Sequence, residues 1–222
     1  MANQWETDPK LLPAGIIARL PVRFNYDDRY FTDTYEWIPK DGYTKIFERM
    51  LGHPLICLQF RVDCFDVREL ISDRSLLVYT GPIDRYFGFH HGQLGWRTIN
   101  LEKELVRTGD FQGTSVMNYA DEAVRFTRIH EFRHLHPERN YQCESSVLCR
   151  EYSRFARAND EPYYPIATGP DELAYARYKA DTQGLGRVVF GGRLGTYHYL
   201  DMRQAIGAAL VSFERDVKRR LG

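Results

Sequence analysis

One string, His130-Glu131-Phe132-Arg133-His134, matches the HExxH pattern of zinc peptidases. That chemistry requires a helix that carries both histidines on one face, with the glutamate as general base. Pro137 prevents a helix from continuing beyond His134. In a strand the two histidines would share a face about 13 Å apart, too far to bind one ion. We therefore predict no metal site, and keep a zinc hydrolase that uses His130 and His134 as the third alternative.

The second candidate site is the glycine-rich stretch Gly191-Gly192-Arg193-Leu194-Gly195, which lies between a predicted strand and a predicted helix. Glycines let the backbone approach a ligand closely, and a helix N-terminus suits a phosphate or an electron-rich ring. Asp201 stands where the helix should begin, as its N-cap or as a ribose partner. An ordinary strand-to-helix turn accounts for the same residues, so the stretch alone leaves both interpretations open.

Arginine and tyrosine supply the third candidate set, which is scattered along the chain. The sequence has 24 Arg against 6 Lys, together with 15 Tyr. Arginine suits bidentate phosphate recognition, although GC-rich codon usage explains the same bias. Spacing alone does not gather the candidates into one site. They are Arg19, Tyr30, Arg128, Tyr164 and Tyr199.

Composition narrows the class of protein. The 222 residues carry 30 basic and 30 acidic side chains, and this zero net charge disfavours a nucleic-acid partner. The four cysteines have no metal-site or disulfide-scaffold spacing. No apolar run is long enough to span a membrane, and residues 1–10 do not resemble a signal peptide. We expect a cytoplasmic protein that contacts neither nucleic acid nor membrane.

The spacing of apolar residues predicts the elements that must position these side chains. Helices are predicted at 41–51, at 171–180 and from Asp201 onward. Strands are predicted at 55–62, 76–80 and 187–190. Residues 86–154 contain several short aromatic and β-branched runs, which are typical of an antiparallel sheet. The predicted fold is a mixed α/β fold, in which an α/β layer is interrupted by an antiparallel sheet.

A series of strings, taken in order along the chain, resembles the UDP-galactopyranose mutases. The resemblance covers essentially all 222 residues. The strings are Leu20–Arg23, Asp27–Phe31, Val78–Phe87, Gly95–Thr98, Met117–Tyr119, Phe126–His134, Tyr152–Phe155, Glu161–Ile166 and Gly191–Met202.

The resemblance implies a partial Rossmann-like FAD-binding layer, interrupted by a twisted antiparallel β-sheet domain. Residues 1–36 would end a helical segment and begin the substrate domain, and residues 37–84 would belong to the FAD-binding domain. Residues 85–160 would form the antiparallel substrate domain. Residues 161–222 would return to the FAD-binding domain and end in a helix.

The resemblance also implies the activity. UDP-galactopyranose mutases are isomerases that interconvert UDP-galactopyranose and UDP-galactofuranose, a precursor of cell-wall or capsule polysaccharide. The implied cofactor is FAD in its reduced form, whose N5 forms an adduct with the sugar while UDP departs. Such a mechanism is nucleophilic catalysis with a cofactor as the nucleophile. The implied small-molecule partner is UDP-galactose.

Site residues carry over position by position. Arg19 and Arg128 match the two catalytic arginines that face the diphosphate. The remaining matches fall into a substrate set and a flavin set. The substrate set is Trp5, Tyr30, Asn118, Tyr164 and Tyr199, and the flavin set is Arg193, Leu200, Asp201 and Met202.

The family's glycine-rich dinucleotide fingerprint, which holds the FAD pyrophosphate, is missing from this sequence. The alternative to a mutase-like isomerase is therefore a non-catalytic truncated remnant or module that needs a separate amino-terminal FAD-binding piece. Further partners would be that amino-terminal fragment or a second copy of the chain. In either case we expect an exposed sheet edge and exposed apolar surface.

Overall fold

Two sheets of different type organise the chain in a computed structural model, which describes residues 24, 26, 33–72, 74–121 and 123–221. The strands are β1 (Leu77–Tyr79), β2 (Trp96–Val106), β3 (Val116–Asn118), β4 (Arg128–Glu131), β5 (Ser146–Phe155), β6 (Tyr164–Pro165) and β7 (Val188–Phe190). The helices are α1 (Tyr43–Leu51), α2 (Ile83–Tyr86), α3 (Gly169–Asp181), α4 (Gly192–Gly195), α5 (Met202–Ser212) and α6 (Lys218–Leu221), with a π-helical segment (Phe213–Val217) between the last two.

The larger sheet has five antiparallel strands in the order β3-β4-β5-β2-β6. Its centre is a long ribbon in which β2 pairs with β5 from Arg97 opposite Phe155 to Val106 opposite Ser146. Alternation of aromatic and β-branched residues with polar ones favours such half-buried strands. The antiparallel sheet predicted for residues 86–154 is confirmed, and β6 extends it beyond that range.

The smaller sheet is a parallel pair, in which Leu77 of β1 lies opposite Val188 of β7. Helix α2 follows β1, and α4 follows β7. The predicted strands at 76–80 and 187–190 and the predicted helices at 41–51 and 171–180 are all present. The mixed α/β class is therefore confirmed, whereas the described residues contain only this two-stranded parallel layer.

The core joins the two sheets at the start of β2. It consists of Ile83, Leu94, Trp96, Tyr178 and Tyr197, each at most 5% exposed. Tyr197 meets the Trp96 indole edge to face, with ring centroids 5.0 Å apart, and its hydroxyl donates to the Gly95 carbonyl at 2.7 Å. Burial of these rings fixes the end of the sheet from which the candidate site is built.

The strand predicted at 55–62 is wrong. Residues 56–60 lie in no helix or strand, and the side chains of Leu55 and Phe60 are 88% and 80% exposed. An apolar run becomes a strand only when a neighbouring ladder pairs with it. No strand of the described part of the chain pairs with this segment.

Apolar side chains are exposed on two helices. Phe47 and Met50 of α1 are 57% and 67% exposed. On α5, Ile206, Leu210 and Val211 are each more than 60% exposed. The expectation of exposed apolar surface is therefore met by these described residues.

The predicted domain boundaries at 36, 84 and 160 stay predictions. No helix in the described ranges combines the length and the apolar character that a bilayer crossing requires.

Tyr79 gives the fold a testable response to alkaline pH. This side chain is 5% exposed, and burial raises its pKa to about 12, against 10.0 ordinarily. Because the folded-state pKa is raised, the stabilisation is fully present below about pH 10 and is lost as pH rises toward about 12. We expect the free energy of unfolding to fall by about 2 kcal/mol across this interval on account of Tyr79.

Urea denaturation at a series of alkaline pH values measures this loss. Tyr79→Phe should flatten the decline, since it removes the ionisable group and only one hydrogen bond, donated to the Pro82 carbonyl at 3.3 Å. Tyr43→Phe is the matched control, because the Tyr43 ring is already exposed in the folded state. If the free energy of unfolding of Tyr79→Phe fell with pH as steeply as that of the parent chain, Tyr79 would not be the source of the decline.

Candidate functional site

A row of polar side chains crosses three strands of the antiparallel sheet. Asn118 of β3 lies directly opposite Arg128 of β4, and Arg128 lies directly opposite Glu151 of β5. Directly paired residues project from the same face of an antiparallel sheet. The sheet therefore brings together two residues that the sequence predicted, Asn118 and Arg128, and adds a carboxylate beside them.

Glu151 holds Arg128 in place. Its side chain is only 7% exposed, and one of its oxygens, Oε1, lies 3.3 Å from Arg128 Nε in an ion pair. The same oxygen accepts a hydrogen bond from the Thr127 hydroxyl at 3.1 Å. Its second oxygen contacts His130 Nε2 at 3.2 Å. The carboxylate is thus held by three neighbouring side chains. Arg128 Nε is buried and makes no hydrogen bond in the described residues, so the ion pair with Glu151 orients the side chain, which is 27% exposed.

A stack of two tyrosines and one arginine forms the second part of the site. The rings of Tyr164 and Tyr199 lie 5.6 Å apart at an interplanar angle of 18°. The guanidinium of Arg193 lies over both rings, 4.3 Å from the centroid of Tyr199 and 5.5 Å from that of Tyr164. Stacking of a guanidinium on an aromatic face orders all three side chains.

Arg193 is anchored by backbone carbonyls. Its Nε donates to the Leu200 carbonyl at 3.2 Å, and its Nη1 donates to the Tyr163 carbonyl at 2.9 Å. The glycines around it serve the backbone: Gly192 has φ of +69°, and a Cβ on Gly195 would lie 3.0 Å from the Tyr79 carbonyl oxygen. The glycine-rich stretch therefore turns the chain tightly over β1 and aims Arg193 at the tyrosines.

The two parts of the site lie on the same face of the antiparallel sheet. Strand β6 brings Tyr164 opposite Arg97 of β2, and Glu151 lies opposite Leu101, four residues later on β2. Burial raises the pKa of Tyr164, and the negative charge of Glu151 raises it further, against the opposing effect of Arg128. At neutral pH the Tyr164 hydroxyl is protonated, as tyrosine ordinarily is, so it can donate to an anion.

Asp201 begins α5 as its N-cap. Its Oδ1 accepts from the Gln204 N–H at 2.7 Å, and Gln204 Oε1 accepts from the Asp201 N–H at 3.0 Å. This reciprocal pair is a capping box. Met202, the first residue of the helix, is 62% exposed. The N-cap interpretation of Asp201 is confirmed, and a flavin contact by Asp201 or Met202 stays a prediction.

Removing the N-cap side chain of α5 should measurably lower the stability of the fold. We expect Asp201→Ala to lower the free energy of unfolding by about 1 kcal/mol, because the Gln204 N–H loses its acceptor. Asp201→Ser is the matched control, since serine also caps helices, and it should recover most of the loss in urea denaturation. Equal losses in the two variants would show that the carboxylate acts in some other way.

Three predicted site residues, Trp5, Arg19 and Tyr30, lie outside the described residues. Tyr164, Tyr199, Arg193 and the Leu200 carbonyl form one contiguous cluster, and Arg128 lies on the same face of the sheet. Asn118 lies at the edge of the same sheet face and is exposed.

The HExxH string does not form one uniform element. His130 and Glu131 end strand β4, and a 3-10 turn (Phe132–Leu135) carries His134. A strand therefore carries His130 but not His134. The two histidines also have different partners: His130 contacts Glu151, whereas His134 Nε2 lies 3.1 Å from Asp110 Oδ1. The helical arrangement of zinc peptidases is absent from these described residues.

Comparison with known proteins decides the family. A model of the family described as UDP-galactopyranose mutase matches residues 1–199. This chain belongs to the UDP-galactopyranose mutase family. The match includes both β4, which carries Arg128, and the stretch that carries Arg193.

Individual members of the family are similar along nearly the whole chain. A probable UDP-galactopyranose mutase of Klebsiella pneumoniae is 40% identical over 208 residues, which cover 94% of this chain and 53% of that protein. A dTDP-fucopyranose mutase of Escherichia coli is 38% identical over 212 residues, covering 94% of this chain and 56% of that protein. A UDP-galactopyranose mutase of Mycoplasma pneumoniae is 29% identical over 227 residues, covering 96% of this chain and 56% of that protein. The chain thus spans about half the length of these relatives.

Sequence reasoning missed the residues that support Arg128 in this mutase-family chain. Glu151 and Thr127 were not singled out, and His130 was considered only as a zinc ligand, although Glu151 contacts Arg128, Thr127 and His130. One signal was available: Glu151 is an acidic residue in the middle of a strand whose neighbours Leu148 and Cys149 are buried. A charge in such a position is rarely left without a partner.

Proposed function

We propose that this chain provides the nucleotide-sugar cleft, and part of the flavin site, of a mutase-type isomerase that interconverts the pyranose and furanose forms of a nucleotide-linked sugar. The observation that carries the proposal is that Arg128 shares a face of the sheet with Tyr164, whose ring stacks with Tyr199 and Arg193. A guanidinium and protonated phenols are the groups that bind a diphosphate best. Arg19 and Tyr30 would add to this set, and Trp5 and Asn118 would line the sugar and nucleoside side.

The leaving diphosphate sets the chemical demand on these residues. Negative charge develops on its oxygen as the bond to the anomeric carbon breaks, and fixed donors stabilise that charge without reorganising. The Glu151 carboxylate and the Thr127 hydroxyl would keep Arg128 ready in this role. The Tyr164 hydroxyl, protonated at neutral pH, would donate to a phosphate oxygen. Retained diphosphate would then be positioned to return to the sugar.

The residues fit one part of an FAD molecule. The N-terminus of α5, with exposed Met202, and the adjoining Leu200 and Arg193 would meet the flavin ring, since a helix N-terminus favours negative charge. When bound, reduced FAD supplies the nucleophile for the sugar carbon. The pyrophosphate-binding fingerprint would come from elsewhere, because this sequence lacks it.

The sugar nucleotide has two candidates. UDP-galactopyranose is favoured by most of the relatives' names, whereas the Escherichia coli relative acts, by its name, on dTDP-fucopyranose and is 38% identical. Both are nucleoside diphosphate sugars, so the diphosphate donors described above suit either. We propose UDP-galactopyranose as the substrate and treat dTDP-fucopyranose as the competitor in the assay.

The proposed protein partner is an amino-terminal FAD-binding piece of mutase type. Support comes from the exposed apolar side chains of α1 and α5, such as Phe47 and Ile206, and from a parallel layer of only two strands among the described elements. Exposed apolar patches of this kind mark interaction surfaces. A second copy of the chain could cover the same surface, and a non-catalytic module remains the functional alternative.

One experiment separates these possibilities. The chain is mixed with the amino-terminal half of the Klebsiella relative, and flavin absorbance and conversion of both sugar nucleotides under reducing conditions are measured. We expect flavin binding and conversion of UDP-galactopyranose only in the mixture. Light scattering reports whether the chain associates with itself instead. Tight flavin binding without conversion of either nucleotide would overturn the isomerase and favour the non-catalytic module.

A further inference from the structure

Two neighbouring histidines and an aspartate form a cluster beside the core residue Tyr178. His90 Nε2 and His91 Nε2 lie 2.9 Å and 2.8 Å from the same oxygen, Oδ2 of Asp181. One nitrogen from each histidine and one carboxylate oxygen lie within 4.8 Å of one another. The histidines follow α2, whereas Asp181 ends α3, so the cluster joins two separate segments.

The hydrogen bonds of His90 favour a metal-binding tautomer. Its Nδ1 lies 2.8 Å from the Phe87 carbonyl oxygen, an acceptor only, so Nδ1 must carry the proton. In the neutral ring, Nε2 then presents a lone pair toward Asp181 Oδ2, which is also an acceptor. Two acceptors cannot form a hydrogen bond, so without a cation the contact between His90 Nε2 and Asp181 Oδ2 requires a second proton on the imidazole. Metal-binding histidines typically donate their other ring N–H to a backbone carbonyl in this way.

A buried tyrosine holds the cluster in shape. Tyr178 is completely buried, donates from its hydroxyl to the Gly92 carbonyl at 2.8 Å and accepts from the His91 backbone N–H at 2.9 Å. Its ring meets His90 and His91 with centroids 5.4 Å and 4.9 Å away. The turn that carries both histidines is therefore fixed to α3 before any ion arrives. Preorganisation of this kind lowers the cost of binding.

From this arrangement we infer a binding site for a divalent transition-metal ion of the zinc class, with His90 Nε2, His91 Nε2 and Asp181 Oδ2 as ligands. Two imidazoles and a carboxylate match the preferences of zinc and of its neighbours nickel and cobalt, and exclude magnesium or calcium as the preferred ion. Bonds of about 2.1 Å in a tetrahedral centre separate ligand atoms by about 3.4 Å. The present contacts need to open by only about half an ångström to admit the ion. Solvent would complete the coordination, since the His90 side chain is 47% exposed.

A second cluster, Asp110, Glu131 and His134, serves as an internal comparison. Here the Glu131 carboxylate is fully buried and already accepts backbone N–H groups of Phe111 and Gln112 at 3.0–3.2 Å. Its lone pairs are used to hold the loop after β2. We therefore expect the ion at His90 and His91 and not at His134.

Titration calorimetry of the metal-free full chain with Zn²⁺, in a mildly alkaline buffer where imidazoles are neutral, tests the inference. We expect one ion per chain, and a rise in the thermal midpoint with added zinc. His91→Ala and the near-isosteric Asp181→Asn should each weaken binding at least about tenfold. Cobalt in place of zinc should develop visible absorption bands that the same two variants lose.

Matched histidine substitutions make the outcome decisive. His53→Ala removes an exposed histidine far from the cluster in sequence, and His134→Ala removes the second candidate, so both should bind zinc as the parent does. Circular dichroism of each variant checks that it is folded. The inference is overturned if the chain binds no zinc, or if His134→Ala loses binding while His91→Ala keeps it. Failure here leaves the isomerase proposal untouched, because none of these residues belongs to its site.

Discussion

Arg128→Ala should lower turnover of the reconstituted isomerase by at least about 10²–10³-fold, the usual cost of removing one fixed donor from a developing anion. The loss should lie in the chemical step, because the guanidinium is needed most when charge accumulates on the departing diphosphate. Flavin binding should be retained, since Arg128 lies on β4 and the predicted flavin contacts lie at and after Arg193. Conversion of UDP-galactopyranose, with flavin content measured in the same sample, checks both statements.

Two further variants test how Arg128 works. Arg128→Lys keeps the charge but loses the planar fork, so it should recover only a small part of the activity. Glu151→Gln keeps the shape of the carboxylate while removing the charge that orients the Arg128 stem, and should fall between the parent and Arg128→Ala. Arg125→Ala is the matched control, because Arg125 is exposed three residues earlier in the chain. Full turnover in Arg128→Ala with bound flavin would refute its role.

Trp96→Ala should lower the free energy of unfolding by about 3–5 kcal/mol, the range for removing a large aromatic side chain from a core. Trp96 is 5% exposed and packs against Tyr197 where the five-stranded sheet meets the parallel pair. A cavity there would loosen Tyr197 and, two residues later, Tyr199 in the proposed diphosphate site. Urea denaturation measures the loss.

The chain offers a control of the same residue type. Trp37 is 68% exposed, so Trp37→Ala should change the free energy of unfolding by no more than about 0.5 kcal/mol. Trp96→Phe should cost far less than alanine, because the Trp96 Nε1 group is buried without a hydrogen-bond partner in the described residues. Similar losses in the free energy of unfolding for Trp37→Ala and Trp96→Ala would show that Trp96 does not belong to the stabilising core.

Local patterns predicted most of the secondary structure and some of the site. The short aromatic and β-branched runs in residues 86–154 were enough to predict an antiparallel sheet, and Asp201 was recognisable as a helix start. Local patterns could not predict which distant strands pair with each other. Nothing local to Arg128 shows that Glu151, 23 positions later, lies opposite it, because register depends on the whole sheet.

The failed strand at 55–62 shows the limit of an apolar run as a signal. Leu55 to Val62 has the composition of a strand. Composition shows which side chains a segment could bury, but not whether a neighbouring strand is available to pair with it. The resemblance to a family, in contrast, predicted site residues but not how they are arranged. It named Tyr164, Tyr199 and Arg193 as site residues, but their stacking became visible only when β6 and the turn before α5 were placed together.

The parallel pairing of β1 with β7 has a consequence for the order of folding. Leu77 and Val188 are roughly 110 residues apart, and closing so long a loop carries an entropic cost that grows with its length. The antiparallel sheet lies between them and brings its own two ends together, since Trp96 pairs with Pro165. Once that sheet has formed, only about 40 residues of the connection are left free, which lowers the closure cost by about 1 kcal/mol. We expect the inserted sheet to form before the parallel pair, because its strand pairs close shorter loops, and thereby to bring the two halves of the parallel layer within reach.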